Sequence, residues 1–215
     1  MRLAVFDCDG TLIDGQADIC TAMEQAFGEV GLVAPERSLI RRAVGLSLPQ
    51  AVRTLLPEGE RELQTELVER YKHAFRAARV EGRLTEPLYD GIRLLLDSLL
   101  ERGWLLGVAT GKSQRGLVHC LAGHGLSGHF VTLQTADHHP SKPHPAMLEA
   151  ALADALAAPG DAVMIGDTAY DIHMAQAAGV RALGVAWGYH APEELFAAGA
   201  DAVATTPAQL GALLQ

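Results

Sequence analysis

The chain has 215 residues and a formal net charge of −9, from 26 acidic and 17 basic side chains, with 49% of its residues hydrophobic. That balance argues against a basic nucleic-acid footprint, and the apolar content argues against a disordered chain. The longest unbroken apolar and glycine stretch, 182–189, is far short of the roughly 18 residues that suggest a membrane span.

Asp7 and Asp9 interrupt the first apolar run, so no secretory signal is expected there. The cysteines, Cys8, Cys20 and Cys120, are odd in number and lack CxxC spacing. Reduced thiols in a cytoplasmic protein are therefore expected. The charge is unevenly spread: residues 16–86 carry 10 basic and 11 acidic side chains, and the remainder carries 7 and 15. The acidic remainder keeps two of the three lysines, Lys112 and Lys142, which marks both for attention.

In chain order, Leu3-Ala-Val-Phe6 is a short apolar run ending at Asp7 and predicts a buried strand. From Gln16 the period changes. Ile19, Met23, Phe27 and Val30 fall at three- and four-residue steps on one helical face. Pro35 and Glu36 open a second helix carrying Leu39, Ile40 and Val44. Pro49 at an N1 position starts a short helix through Leu56. Glu60 to Val80 places Leu63, Leu67, Val68, Tyr71 and Phe75 on one face. No strand signal interrupts this section.

From Tyr89 onward the pattern alternates. Helices are predicted at 92–100, 113–123, 145–157, 171–178 and 193–198, with a last one at 209–214. Strands are predicted at 104–109, 130–133, 162–165, 182–186 and 202–204. Strands separated by helices imply right-handed crossovers and a parallel sheet covered on both faces. The expected fold is thus α/β: a doubly wound, Rossmann-like core over 1–15 and 86–215, with an all-helical domain inserted over 16–85. Gly and Pro punctuate the two junctions, near Asp14-Gly15 and Thr85–Tyr89.

Ligands bind such sheets at the carboxyl ends of strands, and polar residues collect there in this sequence. The first strand runs into Asp7-Cys8-Asp9-Gly10-Thr11, the second into Thr110-Gly111-Lys112, and the strand at Val163 into Gly166-Asp167. Ser141-Lys142-Pro143 precedes a helix, and Asp171 lies just beyond Asp167. Clustered carboxylates repel unless a cation neutralises them. An all-oxygen donor set suits a hard ion such as Mg²⁺.

The strings DCDGTLID, VATGK, SKPHP and GDTAYD resemble, in order, the four motifs of the haloacid dehalogenase-like phosphohydrolases. The insertion after the first motif is similar to that family's helical cap. The resemblance covers the core to about residue 189 and points to the phosphoglycolate phosphatase-like branch. It implies an Mg²⁺-dependent phosphatase acting on a small phosphorylated metabolite. Asp7 would be the nucleophile and Asp9 the general acid and base. Thr110 and Lys142 would hold and neutralise the phosphoryl group, with Gly10, Thr11, Gly111 and Lys112 also facing the phosphate or substrate. The carboxylates of Asp7 and Asp167, with the backbone carbonyl of Asp9, would hold the metal. Asp171 would orient Lys142 or a metal-bound water, and Gly45, Leu46, Ser47 and Leu48 would form the cap's specificity loop. Cys8 alternates away from Asp7 and Asp9 and is expected to pack.

Asp9 argues against the family's dehalogenases, which lack an acid/base Asp at that position. A phosphoglucomutase-like transferase would need a cation near Leu48. A non-catalytic phospho-ligand binding protein would have no need of Asp9. The segment Gly107–Ser113 resembles a Walker A loop but has one residue too few between its glycines. His138, His139 and His144 lie in a Pro-rich loop without zinc-site spacing and are expected to be solvated.

Overall fold

The computed structural model describes all residues from 1 to 215. Six parallel strands form one sheet: β1 (Leu3–Phe6), β2 (Leu105–Thr110), β3 (Thr132–Thr135), β4 (Ala162–Gly166), β5 (Arg181–Val185) and β6 (Ala202–Ala204). Their spatial order is β3-β2-β1-β4-β5-β6. The chain therefore leaves β1 toward one edge and later returns to its other side at β4, which creates a switch point at the carboxyl ends of β1 and β4.

Alternation along the strands divides the core. Ala4 and Phe6 join Leu106, Val108 and Ile165 on one face, under α5 (Ile92–Glu101), α6 (Gln114–Gly123) and α10 (Pro207–Leu213). Leu3 and Val5 join Ala109 and Met164 on the other, under α7 (Ala146–Asp154), α8 (Ala169–Ala177) and α9 (Pro192–Ala197). A strand buried on both faces has no polar position to spare, so the first polar side chain of β1 appears only past its end. Cys8 packs into the first of these clusters, as the alternation implied.

Between β1 and α5 lie four helices: α1 (Gln16–Glu29), α2 (Arg37–Arg42), α3 (Leu48–Leu55) and α4 (Arg61–Val80). Their inward faces meet in a separate cluster around Met23, Phe27, Ile40, Val52 and Leu67. This unit rests on the sheet's carboxyl edge. The Arg42 carbonyl accepts from Tyr170 Oη and His190 Nε2, and the Arg42 guanidinium pairs with Glu194.

Several boundaries differ from the sequence reading. Strand β3 lies two residues later than 130–133, because its register sets Thr132 beside Gly107. Helix α7 ends at Asp154, and Leu156 takes a left-handed φ of 50° that no helix can continue through. Pro49 sits one position further into α3 than N1, since Ser47 is the N-cap. Helix α8 starts at Ala169, two residues before Asp171, because the Asp171 carboxylate reaches back to accept the N–H and the hydroxyl of the N-cap residue, Thr168.

Candidate active site

Asp7 leaves β1 at the switch point and is wholly buried. Its backbone N–H still belongs to the sheet, donating to Ile165 at 2.9 Å, so the side chain starts from a rigid strand. Oδ1 accepts from the Cys8 N–H at 2.6 Å and lies 3.0 Å from Lys142 Nζ. Oδ2 is equally enclosed and has no hydrogen-bond partner.

Asp167 arrives from β4. Thr11 Oγ1 donates to its Oδ1 at 2.8 Å, and the Tyr189 N–H donates to its Oδ2 at 2.9 Å. Gly10, at φ +85°, passes so close that a side chain there would enter the Asp167 carboxylate. Gly188 crowds Asp167 from another direction and would also collide if it carried a Cβ. The two glycines and two donors hold the carboxylate in one place.

Lys142 is 1% exposed, so its ammonium has no water to turn to. It donates to Asp171 Oδ1 at 2.6 Å as well as meeting Asp7. Asp171 Oδ2 is taken by the Thr168 N–H and Oγ1 at 3.1 and 2.7 Å. Asp171 is therefore occupied as a cap and a lysine counter-ion. Thr110 is buried at the end of β2, and its Oγ1 accepts the Lys112 N–H at 3.3 Å. Gly111 lies directly under the Gly45 and Leu46 carbonyls: a Cβ on it would stand 2.7 Å from the Gly45 oxygen.

Carboxylate oxygens of Asp7, Asp167 and Asp171 lie within 4.8 Å of one another. Burial pushes the Asp7 carboxyl up to about 7, against the pull of Lys142 and with the help of the Asp171 charge. Asp167 is raised by burial first, then by the charges of Asp7 and Asp171. Burial acts to lower Lys142, but Asp171 and Asp7 outweigh it and leave the ammonium more basic than usual. One lysine against three enclosed carboxylates leaves negative charge uncompensated. The orphan Oδ2 of Asp7 and the lone pairs left on Asp167 fit a hard divalent cation. Asp171, with both oxygens occupied, fits that role less well.

Asp9 takes a different direction. Lys112 Nζ lies 3.0 and 3.2 Å from its two oxygens and 2.7 Å from Glu86 Oε1. Glu86 was not legible as a site residue, since nothing in its local sequence sets it apart from the acidic side chains of the preceding helix. Tyr189 and Thr168 were also missed, because they act through backbone and cap contacts.

Above these groups lies a cavity of about 580 Å³. Asp7, Asp9, Thr110, Gly111 and Lys112 form its floor, the 45–48 loop one side, and Tyr71, Phe75 and Arg79 of α4 another. The predicted loop therefore shares one space with Asp7, Asp9, Thr110, Gly111 and Lys112, whereas Gly10, Thr11, Lys142 and Asp167 do not line it, and the Thr11 hydroxyl is turned to Asp167 instead of a substrate. Of the three histidines in the 138–144 loop, His138 and His144 are exposed, and His139 is half-buried against Gln134.

A profile of the family described as haloacid dehalogenase-like hydrolase matches residues 4–185. The chain belongs to that family. It is 33% identical over 210 residues to a Dickeya dadantii protein named Probable phosphatase IndB, covering 95% of this chain and 89% of that one. It is 30% identical to a Vibrio vulnificus phosphoglycolate phosphatase, over 98% of this chain and 94% of the relative. Among solved structures it resembles a predicted phosphatase from Clostridium acetobutylicum at TM-score 0.89 and 26% identity, covering 99% and 97% of the two chains. No helix is long and apolar enough to cross a membrane.

Proposed function

We propose that this haloacid dehalogenase-like hydrolase is a phosphatase that removes the phosphoryl group of a small metabolite through an aspartyl-phosphate on Asp7. The observation that carries the reading is the buried Asp7 Oδ2, unpartnered at the floor of the cavity and flanked by Lys142 and Asp167. Asp7 would attack phosphorus while the phosphorus–oxygen bond to the leaving group breaks. Asp9 would give its proton to the departing oxygen, then take one from the water that releases inorganic phosphate and restores Asp7. Lys142, Thr110 and the Gly111 N–H would face the phosphoryl oxygens.

Asp7 and Asp167, with the carbonyl of Asp9, would hold Mg²⁺. When bound, the ion supplies positive charge that relieves repulsion between the nucleophile and the phosphoryl oxygens. Residues 16–85 would act as a cap over the core of 1–15 and 86–215, excluding water while the phosphoryl group moves. The size of the cavity, about 580 Å³, supports a metabolite rather than a macromolecule, and the Vibrio relative's name supports a phosphoglycolate-like ester. Leu48 offers no cation to a second phosphate, which argues against a mutase.

The test is a panel of phosphorylated metabolites assayed for phosphate release with Mg²⁺ and with a chelator. Metal-dependent release from at least one ester supports the reading. Absence of release from every ester, with the protein folded, would overturn it.

A further inference from the structure

Lys112 is enclosed: its side chain is 8% exposed, and those of Asp9 and Glu86 beside it are 9% and 11% exposed. An ammonium has three N–H donors. Here they are met by Asp9 Oδ1, Asp9 Oδ2 and Glu86 Oε1, at 3.0, 3.2 and 2.7 Å. The Phe75 ring lies 5.6 Å from Nζ and covers another side. A second substrate anion would find no free donor there, and two carboxylates would repel it.

Glu86 is held from several directions. Its carbonyl accepts from His124 Nε2 at 2.7 Å. The carbonyl of the following Pro87 accepts the Asp14 N–H at 2.8 Å, and the preceding Thr85 N–H donates to Asp18 Oδ2 at 2.8 Å. A carboxylate mounted this way is a fixed anchor for the ammonium, and the ammonium grips both oxygens of Asp9.

We infer, on the phosphatase reading above, that Lys112 and Glu86 are positioning residues for Asp9, not a subsite for a second anionic group of the substrate. A two-oxygen grip fixes the rotation of the Asp9 carboxyl, so that one oxygen is presented to the leaving group in a single orientation. Glu86 keeps the ammonium from sliding toward the phosphoryl group when the substrate is bound. Loosening either residue impairs delivery of the proton to the departing oxygen. It leaves the attack by Asp7, which Lys142 and Asp167 flank, largely intact.

Leaving-group dependence reads this directly. An alkoxide needs protonation as it departs, whereas p-nitrophenolate leaves without it. For Lys112→Met and Glu86→Ala, kcat/KM on n-propyl phosphate, which leaves out the later hydrolysis step common to both esters, should fall by about tenfold or more, a part of the roughly hundred- to ten-thousandfold that general acid catalysis supplies. The loss on p-nitrophenyl phosphate should be several times smaller. Glu86→Gln, which keeps an acceptor, should recover part of the alkyl-ester rate. Equal losses on both esters would overturn the inference in favour of a structural role. A rise in KM confined to phosphoglycolate, with kcat kept, would overturn it in favour of a substrate contact. If Lys112→Met fails to fold, the two Glu86 variants carry the same comparison. Wild-type protein inactive on both esters would instead overturn the phosphatase reading on which this one rests.

Discussion

The Ser47 N–H donates to Ser141 Oγ over 2.8 Å, joining loops 94 residues apart in the chain. Ser47 belongs to the 45–48 loop of the helical insertion, and Ser141 directly precedes Lys142. The neighbouring Leu46 carbonyl presses on Gly111, so the insertion is seated on the strand ends themselves.

Gly111→Ala tests that seat. The added methyl meets only the backbone of the 45–46 loop, and displacement of that loop should lower kcat/KM by about tenfold, as a small misplacement does in a positioned site. The melting temperature should fall as well, because the methyl meets backbone carbonyls, which cannot swing aside as a flexible side chain would. Steady-state kinetics beside a thermal melt check both parts; unchanged kcat/KM would show that the loop yields without consequence.

Asp7→Asn keeps an acceptor for the Cys8 N–H and for Lys142 but is no longer a carboxylate nucleophile. Turnover of an aryl phosphate should drop by more than about a thousandfold, the scale seen when a nucleophile is removed. Circular dichroism should be unchanged. Undiminished turnover would sink the aspartyl-phosphate route.

Metal-free protein should lose stability as pH rises from about 4 to about 7. The Asp7 carboxyl is raised from its ordinary value of 3.8 to about 7 by burial, so across that window the folded state binds more protons than the unfolded state. Stability then falls with rising pH and levels off above the folded value. Asp167, also raised, acts in the same direction. Saturating Mg²⁺ at pH 7.5 should raise stability by about 2.7 kcal/mol at a hundredfold excess over its dissociation constant. Asp167→Asn should abolish most of that gain. Thermal melts across pH, with and without MgCl₂, read all three effects.

Lys142→Met leaves Asp7 and Asp171 buried without their shared cation and should cost about 3–5 kcal/mol. Asp171→Asn also removes one carboxylate, so Lys142→Met combined with Asp171→Asn should be less destabilised than the sum of the two single changes. Urea denaturation of the four proteins measures the coupling. Strict additivity would mean that the 2.6 Å contact contributes nothing specific.

Much of this protein was determined by local sequence. Apolar runs of four to six residues that break at Asp7, Thr110 and Asp167, with helical periods between them, already order a parallel sheet and put its polar residues at one edge. The insertion is equally local, since its apolar positions step by three and four and close on one another. Part of the acidity outside the insertion lies in Asp7, Asp167 and Asp171, whose carboxylate oxygens fall within 4.8 Å of one another.

Only the tertiary structure decided which charges meet. Lys112 and Asp9 are 103 residues apart, and Lys112 and Glu86 are 26 apart. No period or spacing encodes either pairing, because both depend on where the second junction of the insertion comes to rest against the end of β2. The same holds for Asp171, whose oxygens are used up by Lys142 and Thr168, and for β3, whose start follows the register offered by β2. Short-range patterns act through backbone geometry and are legible along the chain. Enclosed ion pairs form from residues that folding brings together, and their partners follow from packing alone.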